Sequence, residues 1–74
     1  MAPLGALSQA WVSAQASLPL GWQISGLWRF DAVWIGLAEG PAWDDYLCGT
    51  GRHDYLALQR LADRLRERRG PTTV

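Results

Sequence analysis

The residues of this chain that are able to do chemistry are few, and most fall between Glu39 and Arg69. Cys48, His53 and Asp54 supply the types needed for a thiol nucleophile, a base and an orienting acid. Such a set works only if the sulfur reaches one ring nitrogen while the carboxylate holds the other. Adjacent side chains such as His53 and Asp54 seldom turn toward each other in that way, so no residue is assigned a catalytic role. Asp44 and Asp45 are consecutive, and on a strand they would point to opposite faces instead of pairing. Together with Glu39 they form only a generic set of metal ligands, and one Cys with one His is too few for a structural zinc site. Neither a metal nor a cofactor is expected. Gly49-Thr50-Gly51 precedes a helical pattern, but its spacing matches no P-loop or dinucleotide fingerprint, and it reads as a strand-to-helix turn.

One basic feature remains. Arg60, Arg64 and Arg68 recur every four residues along one edge of the last helical pattern, where they would reach a phosphate backbone. Asp63 and Glu67 are interleaved with them, and ion pairs along a solvated helix face account for the same residues. All seven basic residues are Arg, seven acids balance them, and the formal net charge is zero. Nothing in that balance requires a nucleic acid or an anionic membrane as partner.

The elements that must position these residues are legible from periodicity. Leu4, Leu7, Trp11, Ala14 and Leu18 share one face of a predicted helix over Leu4–Leu18, which Pro19 ends. From Trp22 to Phe30 the period becomes two, as in a half-buried strand, and Val33–Ala38 follows as a second. If Asp31-Ala32 between them forms a two-residue hairpin, Phe30 faces Val33, Trp28 faces Ile35 and Gly26 faces Leu37; Asp-Ala is a poorer hairpin turn than Asp-Gly, and a longer loop is the alternative. After the turn at residues 39–42, Trp43–Cys48 is expected to return as a third strand. The last helix is expected to start near Asp54, with His53 and Thr50 as alternative caps. It carries an apolar stripe of Tyr55, Leu58, Leu61, Ala62 and Leu65, and Gly70-Pro71 stops it before a frayed tail. The expectation is a single α+β domain over residues 1–74, in the order αβββα, with both helices on one face of an antiparallel sheet.

A chain of 74 residues buries a small core, and one of this size rarely supplies more than about 3–5 kcal/mol. The lone Cys48 excludes an internal disulfide, which leaves packing and association as sources of stability. Five Trp, two Tyr and one Phe suit both. If the Trp28–Ile35 side of the sheet is the covered one, Leu27 and Trp34 lie together on the uncovered side. Arg29 is then opposite Trp34, and a covering from the loop around Trp43 is the competing reading. Leu27, Arg29 and Trp34 are therefore the expected partner-binding residues, with Leu56, opposite the apolar stripe of the last helix, added to them. No transmembrane span and no signal peptide are read, and a free Cys without an export signal points to the cytoplasm.

The stretch Val33-Trp-Ile-Gly-Leu-Ala, a turn, then Cys48-Gly-Thr-Gly-Arg-His-Asp-Tyr-Leu-Ala-Leu resembles the HicB antitoxin-type domain. Gly51, Ala57 and Leu58 match that family's strand-Gly-cap-helix pattern, and His53 stands where its capping Thr is usual. The resemblance covers about Val33 to Leu65. It implies binding and inhibition of a partner toxin, often as a dimer, without the separate DNA-binding segment that many members carry. The helix–three strands–helix order is also similar to that of the double-stranded RNA-binding domain. That family grips phosphates through a Lys-rich start of its last helix, where this chain has Asp54-Tyr55-Leu56-Ala57.

The expected function is thus a small non-enzymatic protein-binding module, inhibitory or antitoxin-like, or a phage or mobile-element protein. Its partner is another protein or a second copy in a homodimer. RNA or DNA binding through Arg60, Arg64 and Arg68 is the alternative.

Overall fold

A computed structural model describes residues 4–69. The expected stop at Gly70-Pro71 and the tail after it lie outside the described residues. The order is α1 (Leu4–Ala16), β1 (Gln23–Phe30), β2 (Val33–Glu39), β3 (Tyr46–Gly51) and α2 (Asp54–Arg69). The three strands form one antiparallel sheet in the order β1-β2-β3, so β2 is central. This is the α+β architecture expected, with the helices packed on the sheet.

The β1–β2 hairpin closes as the sequence implies. Phe30 pairs with Val33, Arg29 with Trp34, Trp28 with Ile35 and Gly26 with Leu37. Asp31, first of the two turn residues, has φ 62°, a left-handed conformation that Asp tolerates better than most side chains. A bulge between Ile24 and Gly26 inserts Ser25 into β1, so that Ile24 pairs with Ala38 and stays on the same face as Leu27.

The third strand is shifted from its expected place. It starts at Tyr46, and Gly49-Thr50-Gly51 forms its second half instead of a turn. The reason is the approach of α2. A Cβ built on Gly49 would lie 2.7 Å from Leu61 Cα, and one on Gly51 would lie 2.7 Å from Leu56 Cβ. The helix backbone rests almost directly on the strand, which only glycine permits.

The stripe on α2 is buried as expected: Leu58, Leu61, Ala62 and Leu65 are inaccessible, and Tyr55 packs against them. The first intrahelical bond runs from Ala57 N–H to the His53 carbonyl, which makes His53 the capping residue. Asp54 is the first helical residue, and its carboxylate accepts a 2.7 Å bond from Tyr55 N–H. α1 is shorter than expected and rotated. Its buried side is Ala10 and Ala14, continued by Ser17 just after it, whereas Leu7 and Trp11 are exposed at its flank. It packs chiefly on α2 and reaches the sheet only through β1. Small side chains let the two helices approach closely, so the larger residues of α1 fall outside the contact.

The resulting core is thin. Among the described residues its fully buried hydrophobics are five alanines (Ala10, Ala14, Ala38, Ala57, Ala62) and three leucines (Leu58, Leu61, Leu65), and no aromatic is among them.

Candidate functional site: the uncovered face of the sheet

Which face the helices cover decides where a partner can bind, and the glycines mark it. The space above Gly36 is filled by Leu58 and Leu61, whose Cδ2 atoms lie 3.5 Å and 3.6 Å from a Cβ built there. Residues paired across an antiparallel sheet share a face, so Leu27 and Gly49, the partners of Gly36, lie beneath α2 as well. Arg29, Trp34 and Gly51 form the next row on that face. Ile24, Ala38 and Leu47 form a third, in which Ala38 is buried and the other two pack against the core.

This reverses the expected assignment of faces. Leu27 packs against the core cluster and also floors a groove at its edge, so it is not on an uncovered surface. Trp34 is half-buried on the helix-covered side, with Arg29 beside it in register and exposed to solvent. Leu56 is half-buried against Gly51 instead of standing free. The loop around Trp43 cannot cover Trp34, because it joins β2 to β3 at the far end of the sheet, and Trp43 is 94% exposed. The apolar pairing of Trp28 with Ile35 was a true signal of register. Its bulk, however, was no guide to the core, because α2 crosses the sheet over Gly36, Gly49 and Gly51, too close for large side chains directly beneath it.

The uncovered face is therefore the bulky one. Trp28 and Phe30 on β1, Val33, Ile35 and Leu37 on β2, and Tyr46 and Cys48 on β3 share it. Phe30 is 70% exposed and Tyr46 60%; Trp28 and Val33 are exposed to 44% and 41%. The indole of Trp28 lies over Gly26, its Cζ3 3.0 Å from where a Cβ of Gly26 would be. The ring occupies the space a side chain at position 26 would take, so a larger residue there would push it away. Thr50 completes the face beside Ile35, and of the strand residues only Glu39, at one end, brings a charge to it. An apolar face of this kind has too few polar groups to be stabilised by water. At the Tyr46 end it runs into a cavity of about 270 Å³ lined by Glu39, Pro41, Trp43 and Asp45.

A second apolar recess lies at the edge of the other face. Leu7, Ser8, Trp11 and Val12 of α1 and Leu27 of β1 line a groove of about 450 Å³. It exists because α1 turns its smallest residues toward α2.

The candidates for other chemistry are dispersed. Cys48 is exposed on the open face, while the His53 ring stacks on Tyr55, with centroids 5.3 Å apart, on the side where α2 packs. Among the described residues no group of three or more His, Cys, Asp or Glu is placed to hold a metal, and no helix is long and apolar enough to cross a membrane.

Arg60, Arg66 and Arg68 of α2 are engaged internally. Arg68 donates to Asp45 at 3.0 Å and lies 5.0 Å above the Trp22 ring, which ties the end of α2 to the β2–β3 turn. Asp45 also accepts from Ala42 N–H at 3.1 Å, so one carboxylate shapes the turn and anchors the helix. Arg66 pairs with Asp63 and donates to Ser17 Oγ at 3.0 Å, a link from α2 to the end of α1. Arg60 points back to the Thr50 carbonyl at 3.4 Å. Of Arg60, Arg64 and Arg68, only Arg64 has no such contact among the described residues.

Comparison with protein-family models, with curated proteins and with solved structures finds no match.

Proposed function

We propose that this chain is a non-enzymatic protein-binding module that works by laying the open face of its sheet against a partner. One observation carries the reading: a continuous aromatic and aliphatic surface, from Phe30 to Tyr46, that no element of the described chain covers. Trp and Tyr held on a rigid sheet are the side chains that most often dominate protein interfaces. An inhibitory role, in which binding occupies the partner, fits a domain that offers a surface and little else. The HicB-type resemblance is in keeping with it. Nucleic-acid binding is less well supported, since Arg60 and Arg68 already have partners within the fold.

Cys48 provides the test, because it is the chain's only thiol and lies within the face. Its alkylation is compared in intact cells of the native host and in purified protein at high dilution. The reading expects severalfold slower labelling in the cell, where a partner covers the face. Equal rates would show the face working in open solvent and would refute the proposal.

A further inference from the structure

The open face invites a specific occupant, and we infer that it is a second copy of this chain, bound face to face in a two-fold symmetric dimer. The inference rests on the protein-binding reading and names its partner. Two sheets would meet about 10 Å apart, with interdigitated side chains, and the helices would form the outer layers of an α/β/β/α sandwich.

Three observations lead there. The first is area. Aromatic side chains bury roughly 150–250 Å² each, so the exposed parts of Trp28, Phe30 and Tyr46, with the aliphatic residues between them, offer on the order of 500–600 Å² per copy. Two copies then remove on the order of 1,000–1,200 Å² from water, the lower end of the range for a specific interface and the size of a concentration-dependent dimer. The α1 groove, lined by only five residues, offers less.

Charge is the second. In a two-fold interface the same patch supplies both sides, so any charge near its centre meets its like. Trp28, Phe30, Val33, Ile35, Leu37, Tyr46, Cys48 and Thr50 carry no formal charge, and Glu39 stands at the end of the row. A two-fold pairing of this patch therefore sets no like charges against each other at its centre.

The third is the thinness of the core. Three leucines and five alanines are its only fully buried hydrophobics among the described residues. Domains of this size commonly gain from association the burial they cannot achieve alone. A partner that contributes to folding must be present wherever the chain is made, and a second copy always is.

The experiment is sedimentation equilibrium over a concentration series, on the unaltered chain and three variants. Phe30→Glu and Tyr46→Glu change exposed residues at opposite corners of the face. Val12→Glu changes an exposed residue of α1 in the wall of the groove, away from the open face. Circular dichroism reports whether each variant keeps the fold. The unaltered chain is expected to move from 8.2 kDa toward twice that mass as concentration rises. Each face variant should weaken the association at least roughly 100-fold, the effect of bringing two like charges into an apolar interface. Val12→Glu should leave it unchanged.

A monomer at every concentration would overturn the inference, and so would a dimer that survives both face variants or dissociates with Val12→Glu. These outcomes are separable from the fate of the broader reading. A monomeric chain whose Cys48 is still protected in the cell has a different protein on the face. A monomeric chain with Cys48 freely labelled in the cell refutes both.

Discussion

The two faces of the sheet are built on opposite principles. On the covered face the central positions are Gly36, Ala38, Gly49 and Gly51, and α2 sits so close that its own leucines fill the space. On the open face the positions between them hold Trp28, Phe30, Val33, Ile35, Leu37 and Tyr46. Where α2 lies on β2 and β3 the residues are small, and the larger side chains of the covered face, Ile24, Leu27, Trp34 and Leu47, flank them. In a fold with one helix across its sheet, close packing can come from small residues and short distances instead of large side chains. The large ones are then free for a second interface.

The sharpest way to break this comparison is to add bulk on the covered face. Gly49→Val is expected to cost about 3 kcal/mol or more, because the clash is with the backbone of α2 and not with a side chain that can swing away. In so small a domain that should abolish cooperative unfolding by urea, and a normal unfolding transition would show that the helix can lift without loss.

A paired truncation compares the two faces directly. Leu61→Ala, in the core, should cost about 2–5 kcal/mol. Phe30→Ala, on the open face, should change the stability of the dilute monomer by less than about 1 kcal/mol, although it removes more atoms. Comparable losses in urea titrations would mean that the open face carries part of the monomer's own stability.

The smallest effect is expected where the faces meet the helix end. Arg68→Ala removes a partly exposed ion pair with Asp45 and the cation–π contact over Trp22, together about 0.5–1 kcal/mol. Because both contacts are electrostatic and near the surface, the loss should shrink as salt is raised. A loss that stays constant with salt would assign the role of Arg68 to packing of its stem.

Much of this was legible in the chain. The order of elements, the Asp31-Ala32 hairpin with its register, and the α2 stripe all follow from local pattern, because alternation and helical spacing act over a few residues. Pairing residues across the hairpin also determined that Trp28 and Ile35 share a face, and that Leu27, Trp34 and Gly36 share the other. The same pattern was silent on which face meets the helices, since both are largely apolar, and bulk pointed the wrong way. Leu27 and Trp34 stand on the open side only if the Trp28–Ile35 side is the covered one, and the fold covers the other.

The decision belongs to the tertiary structure. Only the approach of α2 distinguishes a glycine that ends a strand from one that lets a helix lie on it, and Gly49 and Gly51 are of the second kind. Sequence alone determined the register of the β1–β2 hairpin from Phe30 back to Gly26 and which of those residues share a face, whereas the bulge at Ser25 and the place of β3 came only with the fold. How close the helix comes depends on the depth of every side chain in the layer at once, and that distance assigned one face to the core and left the other for a partner.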